Sequence, residues 1–367
     1  MAEIISIGIA APKHCHSQQD ILAVMQEIYQ LDAIKKRKLS FLYSQSGIAQ
    51  RHSVIPDFGL PKEQWTFVPT DHANDFPDID KRMAIYQSYA TPLCLEAIEN
   101  CLNGHCNHEA ITHLITVSCT GMSAPGLDLE IMEALNLSPN LFRTSINFMG
   151  CYAAIHGLKL AKLICDTTPE AQVLLVCLEL CTIHLQKEYS LDNASSSLLF
   201  ADGCAAVLIN NQTQTNSLTI KGFHSHVASQ GKSDMAWNIS KKGFLMRLSS
   251  YIPQLIESDI KALLHAALKK SGFDNQAVTN WCIHPGGKKI VDLIQKELAL
   301  TPSDTEDARK ILHQYGNMSA PTILFVLKSI MEKGVKENAV VFGVAFGPGL
   351  TMETFLLENK TTRLEHA

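Results

Sequence analysis

Charged residues are scarce in this 367-residue chain. Asp, Glu, Lys and Arg make up 18% of it, and 36 acidic against 31 basic side chains leave a net charge of −5. No basic run is longer than Lys35-Lys36-Arg37-Lys38, so nucleic acid is not expected as the main partner. Long apolar runs are missing too. Stretches such as 339–349 stop short of the roughly 18 residues that a membrane span requires, and no membrane insertion is expected. The opening MAEIISIG shows neither a basic leader nor a cleavage site, which predicts a cytoplasmic protein. The eleven cysteines are odd in number and unpaired in spacing. They argue against a disulfide framework and for reduced thiols serving as small core residues. No Walker loop and no GxGxxG after a strand occurs, so nucleotide hydrolysis and nicotinamide chemistry lack support. The cluster Cys101, His105, Cys106 and His108 lacks tetrahedral-site spacing and a second ligand pair, so it reads as a polar surface loop with no metal.

What is present is apolar material, 46% of the chain, enough for one large or two smaller cores. Short runs rich in Val, Ile and Leu predict strands at 111–117, 173–178, 205–209, 218–220, 281–283, 340–344 and 352–357. Helix-period segments at 152–164, 256–269, 289–298 and 320–331 alternate with them. Strands that are apolar on both faces need helices on both sides, which predicts an α/β protein. The polar stretch 210–217 is the best linker, dividing the chain into halves at 1–215 and 216–367. The halves echo one another. Cys119 to Cys151 is 32 residues and His284 to Asn317 is 33; Cys151 to Leu174 and Asn317 to Val340 are both 23.

Three residues could carry chemistry together. Cys151 follows Gly150 and opens an amphipathic helix, where free N–H groups and the macrodipole favour a thiolate. A buried structural cysteine is the commoner fate of the residue type. His284 ends a strand before Pro-Gly-Gly, on the side of an α/β sheet where ligands bind; a satisfied structural histidine is its plain alternative. Asn317, in YGNMSAP, could equally cap the helix that begins near Ser319. As a set they supply a nucleophile, a proton acceptor and a neutral hydrogen-bond donor.

VSCTGMSAPGLDLEIMEALNL, MGCYAAIHGLKLAKLI, VLLVCLEL, IHPGGKKIVDLI, YGNMSAPTILFVL and AFGPGLTMET together resemble the type III polyketide synthases, the chalcone-synthase-like members of the thiolase superfamily, with the bacterial branch as the closer match. The resemblance implies a thiolase fold, five-layered α/β/α/β/α from two duplicated halves, and a homodimer. It implies condensation of malonyl-CoA onto a starter acyl-CoA without a metal or redox cofactor, giving an aromatic or pyrone product such as an alkylresorcinol or alkylpyrone. Cys151 then matches the acyl-accepting nucleophile, with His284 and Asn317 completing the set. Phe200 matches an aromatic gatekeeper, and Gly347-Pro348-Gly349 a loop shaping the cavity floor.

The departures from the pattern concern substrate. Met246 stands at the second gatekeeper position, and His184 where plant members keep a small hydroxyl residue. Ala154-Ile155 replaces a Gly-Gly after the nucleophile, and of three basic residues used for CoA phosphates only Lys38 has a counterpart. Lys288 and Lys289, opening a helix, could take over that grip or be a solvated surface pair. Two other readings remain at this point: a single-condensation enzyme resembling ketoacyl-carrier-protein synthase III, and a catalytically silent thiolase-fold protein that binds acyl-CoA.

Overall fold

The structure is a computed structural model that describes residues 1–212, 214, 217–232, 234–249 and 251–360. The first half runs β1 (Glu3–Ala10), β2 (His14–Ser17), α1 (Gln18–Tyr29), α2 (Ala33–Ser44), β3 (Gln50–Ser53), α3 (Ile79–Leu102), β4 (His113–Ser118), α4 (Leu127–Ala134), β5 (Phe142–Asn147), α5 (Ala153–Thr167), β6 (Gln172–Leu180), α6 (Leu191–Leu199) and β7 (Asp202–Asn210). The second runs β8 (Leu218–Val227), β9 (Met235–Ser240), β10 (Gly243–Leu248), α7 (Ile252–Ser271), β11 (Val278–Ile283), α8 (Lys288–Glu297), α9 (Glu306–Tyr315), α10 (Pro321–Lys333), β12 (Val340–Gly347) and β13 (Thr351–Glu358). The expected boundary between residues 215 and 216 lies outside the described residues.

Nine strands join in the order β11-β12-β13-β8-β1-β7-β6-β4-β5, and the pairing repeats on either side of the middle. From β1 outward the strands pair antiparallel to β7, antiparallel to β6 and parallel to β4. From β8 outward the same sequence leads to β13, β12 and β11. Only β5, at one edge, has no counterpart among the described strands. The half-sheets meet at a seam of two residue pairs, Glu3 with Thr219 and Ile4 with Leu218. Glu3 is buried there and accepts hydrogen bonds from the hydroxyls of Ser217 at 3.0 Å and Thr219 at 2.7 Å.

Strand alternation builds the layers. On β6, Leu174, Val176 and Leu178 join a core with α1 and α3. Val173, Leu175 and Cys177, facing the other way, join a second core with α5 and α10. On β12, Val341 and Ala345 enter that same central core, while Val340, Phe342 and Val344 pack against α7 and α8. Two helices thus lie between two half-sheets with further helices outside each, the five-layered α/β/α/β/α arrangement. Both faces of these strands are buried, so each Val or Leu contributes ~1.5–3 kcal/mol and no polar stripe is possible.

Several elements left no periodic signal. Strand β5 (FRTSIN) is exposed almost throughout, so nothing in it alternates. The β9–β10 hairpin is only half-buried and gives neither a clean period of two nor one of 3.6. The predicted 218–220 strand extends to Val227 because β13 pairs along it.

Helix α3 lies directly on β1: a Cβ on Gly8 would sit 2.1 Å from the Ala97 carbonyl oxygen and 2.3 Å from the Cys101 amide nitrogen. Both are backbone atoms of one helix, so relief requires moving the whole helix off the sheet. Gly8→Ala should therefore destabilise the protein by about 3 kcal/mol, read as a lower urea midpoint with an unchanged denaturant slope.

Candidate active site

A cavity of about 680 Å³ opens between the halves, and Cys151, His284 and Asn317 all line it. Each comes from the end of a different element. Cys151 sits in the turn that leads into α5, where Gly150 takes φ +83°. That turn is pressed against the β12–β13 loop, so a Cβ on Gly150 would lie 2.4 Å from Pro348 Cδ. His284 follows β11, its amide donating to the Val344 carbonyl at 2.9 Å. Asn317 stands between α9 and α10, strand-bridged to Phe200. Its amide donates to the Leu199 carbonyl and its own carbonyl accepts from the Ala201 amide, both at 2.9 Å.

Asn317 does not cap α10, whose N-cap is Ala320 with no side-chain cap bond. Its Oδ1 instead accepts the Ser319 amide at 2.8 Å. With the oxygen so occupied, Nδ2 is the end left to donate. It reaches the Gly286 carbonyl at 3.4 Å, and the Asn317 side chain also hydrogen-bonds the Cys151 thiol. Ser319, held at φ +58°, bonds the same thiol.

All three residues are buried, at 8%, 1% and 2% exposure for Cys151, His284 and Asn317. Burial pushes the Cys151 thiol up to about 11 against the opposing pull of Ser319 and Asn317. Burial alone pushes His284 down to about 3, and neither of its ring nitrogens has a hydrogen-bond partner among the described residues. The sequence favours a thiolate at the start of a helix; in the folded protein loss of water outweighs that pull. Burial thus biases both groups towards their neutral forms, a thiol and an imidazole with one ring nitrogen open to donate and the other to accept a proton.

Of the other anticipated residues, Phe200, Met246, His184, Pro348, Lys288 and Lys289 line the cavity. Lys38 lies exposed on α2, a helix that instead reaches the cavity through Leu42, with Gln45 just past its end. Gly347 and Gly349 are not on the wall. A Cβ on Gly347 would meet Tyr152 Cδ1 at 2.5 Å, so that glycine serves the contact between the β12–β13 loop and the turn that holds Cys151. Lys288 is paired with Asp292 at 2.7 Å.

His184 has no polar atom to offer a substrate. Its Nδ1 accepts the Phe244 amide at 3.0 Å, and its Nε2 is 2.7 Å from the Thr120 carbonyl. That pattern requires the neutral tautomer protonated on Nε2, and burial lowers the ring to about 3. Its face stacks on Phe244 at 4.2 Å, and Trp237 meets both rings edge-on. These three rings form an aromatic wall. Trp237 and Phe244 lie on β9 and β10, and no local motif marks them. Cys119 and Ser319 were equally silent: Cys119 Sγ accepts the Gly150 amide at 3.1 Å, and only the GNMS context hints at Ser319. Beneath the site Glu179, raised to about 8 by burial, accepts the Cys119 amide at 3.0 Å and the Thr120 hydroxyl at 2.8 Å.

The neutral pair has a measurable consequence. A thiol whose pKa is raised ionises only as pH climbs, so alkylation of Cys151 by iodoacetamide should accelerate steadily from pH 7 to 10. A rate that levels off near pH 6 would mean that the thiolate–imidazolium pair already exists at rest.

Residues 1–213 match the family "Chalcone and stilbene synthases, N-terminal domain", and residues 223–361 match its C-terminal domain. "Alpha-pyrone synthesis polyketide synthase-like Pks18" of Mycobacterium tuberculosis is 26% identical over 98% of this chain and 91% of that protein. "Probable polyketide synthase 1" of Dictyostelium discoideum is 27% identical over 97% of this chain, which spans only 11% of that much longer protein. The crystal structure of PKS-I from the brown alga Ectocarpus siliculosus superposes with a TM-score of 0.89, at 29% identity and 98% coverage of both chains. Identities of 26–29% to mycobacterial, amoebal and algal proteins set no one branch apart. The two-domain match favours neither the single-condensation enzyme nor the silent acyl-CoA binder. With its five-layered fold and a match along nearly its whole length, the chain belongs to the chalcone and stilbene synthase family and is a type III polyketide synthase, an acyltransferase.

Proposed function

We propose that Cys151 carries the growing chain, that His284 and Asn317 activate malonyl-CoA, and that the product is a short polyketide closed to a pyrone or aromatic ring. The observation that carries this reading is the orientation of Asn317: its oxygen accepts the Ser319 amide, and its Nδ2, 3.4 Å from the Gly286 carbonyl, donates towards the Cys151 thiol, where a substrate oxygen would sit. In the first step the Cys151 proton passes to His284 as the thiolate attacks the starter thioester. The CoA thiolate leaves and takes that proton. Malonyl-CoA then loses carbon dioxide, and its electron pair moves onto the thioester oxygen. An N–H of Asn317 and one of His284 hold that oxyanion. The enolate carbon attacks the acyl-Cys151 carbonyl, a carbon–carbon bond forms, and the Cys151 thiolate departs. Water is largely excluded, so each donor acts at low dielectric, and its loss costs ~10²–10³ in rate.

At the mouth, Lys288 and Lys289 open α8 beside α2, the Lys288 stem lying 3.4 Å from the Cβ position of Gly47. As cavity-lining cations at the start of a helix, Lys288 and Lys289 are suited to CoA phosphates. The aromatic wall of His184, Phe244 and Trp237 takes up part of the cavity lining, which supports few extensions and a pyrone product; a relative is named for alpha-pyrone synthesis. A homodimer is part of this reading. Strand β5 is an open sheet edge with Phe142 71% exposed, and a second copy would cover it. So are the division at 215/216 and a cytosolic setting; all eleven cysteines are free, and no described helix is long and apolar enough to cross a membrane.

Two experiments test the reading. Incubated with a starter acyl-CoA, the wild type should carry an acyl adduct on Cys151, and Cys151→Ala should carry none and make no product. His284→Ala and Asn317→Ala should each slow malonyl-CoA decarboxylation by ~10²–10³; a helix-capping role for Asn317 predicts instead ~1 kcal/mol of lost stability with decarboxylation intact. Separately, Trp237→Gly removes one ring of the wall and should shift the product spectrum, read by mass spectrometry, towards longer polyketides. An unchanged spectrum would mean that the wall does not limit chain length.

A further inference from the structure

Beside Phe200 and Asn317, on the wall of the same cavity, lies a buried cation that the reaction described above does not use. Arg51, on β3, is 3% exposed. Its Nε donates to Gln18 Oε1 at 3.0 Å, and its Nη1 donates to the Phe200 carbonyl. Tyr43 hydrogen-bonds the guanidinium, Asp202 acts on it through space, and Nη2 has no partner among the described residues. Gln18, also buried, uses its amide nitrogen to hold the Leu198 carbonyl at 2.9 Å and the Ser46 hydroxyl at 3.3 Å. Together the two side chains grip alternate carbonyls of one short segment, those of Leu198 and Phe200. The same segment is hydrogen-bonded on its other edge to Asn317, through Asn317 N to Leu199 O and Ala201 N to Asn317 O. The Arg51 stem also touches the far side of that bridge. Gly316 sits at φ +70°, and a Cβ there would lie 2.7 Å from Arg51 Cδ and 3.0 Å from the Leu199 carbonyl oxygen.

A guanidinium kept out of water with mainly neutral acceptors is costly. An apolar side chain could fill the same volume, but it could not hold Gln18 and the Phe200 carbonyl in fixed directions at once. The planar fork of arginine can do so, and a lysine ammonium, as a single point donor, cannot. We propose that Arg51 and Gln18 form a clamp that sets the register of the 198–201 segment against Gly316–Asn317 and so aims the Asn317 carboxamide at the reacting thioester. Arg51 is thus a positioning residue, acting through Asn317. The inference rests on the role given to Asn317 above, but the clamp itself can be tested without it.

Arg51→Lys keeps the charge and removes the fork. Hydrogen–deuterium exchange of wild type and variant should show the amides of Asn317 and Ala201 exchanging about tenfold faster in the variant, because local opening of the bridge becomes easier. Malonyl-CoA decarboxylation should fall about tenfold or more, since a misplaced donor loses most of its effect, while acylation of Cys151 stays within about twofold. Gln18→Leu, which leaves the cation in place, should give the same split in milder form and decides the matter if Arg51→Lys does not fold. Unchanged protection at Asn317 and Ala201 would overturn the clamp whatever the activities do. Faster exchange with decarboxylation and acylation falling together, or with neither falling, would reduce Arg51 to a structural residue. A wild type that decarboxylates no malonyl-CoA, yet whose variants exchange as described, would refute the role of Asn317 and leave the clamp standing.

Discussion

The two central helices, α5 and α10, are the constraint on which the site depends. Each is packed between both half-sheets in a single apolar core. Each begins where the chain leaves a strand or loop at the same end of that core. Burying the pair side by side forces Cys151, just before one helix, and Asn317, just before the other, onto one cavity. The fit is close enough that the turn before α5 has no room for a side chain at Gly150, because Pro348 from the opposite half already fills the space. Stability of the core and proximity of the reactive groups are therefore one property of the molecule.

The same burial sets the electrostatics. A thiol and an imidazole withdrawn from water both resist ionisation, which biases the resting site towards neutrality. In the proposed reaction charge develops close to preoriented N–H donors and away from competing water, where such donors act most strongly. Preorientation comes from backbone and buried polar contacts. Ser319 fixes which end of the Asn317 amide faces the cavity, and the Phe200–Asn317 bridge ties that loop to the first half.

Legibility in the sequence followed how local the cause was. Strands such as β6 and β12 announce themselves because both faces are buried and every position is apolar. Helices α5 and α10 show their period because one stripe always faces a sheet. Cys151, His284 and Asn317 were visible because each sits at the end of such an element, beside glycines whose placement has a backbone reason. Strand β5 was hidden, since its residues face outward and its existence depends on pairing with β4. Trp237 and Phe244 were hidden because their meaning lies in stacking on His184, over fifty residues away in the chain. Arg51 was hidden because nothing local distinguishes a buried arginine from an exposed one.

By itself, then, the sequence determined the alternation of strands and helices, the duplication and the three reactive residue types. Those follow from periodicity and from spacing, which are properties of neighbours along the chain. Tertiary structure decided that burial raises the pKa of the thiol against the pull of the helix start, since that depends on how much water the assembled halves exclude. It decided that His184 is a wall and not a donor, because the Phe244 amide and the Thr120 carbonyl reach its ring from opposite sides. It also decided the shape of the cavity, since side chains from distant segments meet there and no single stretch of sequence records that they will.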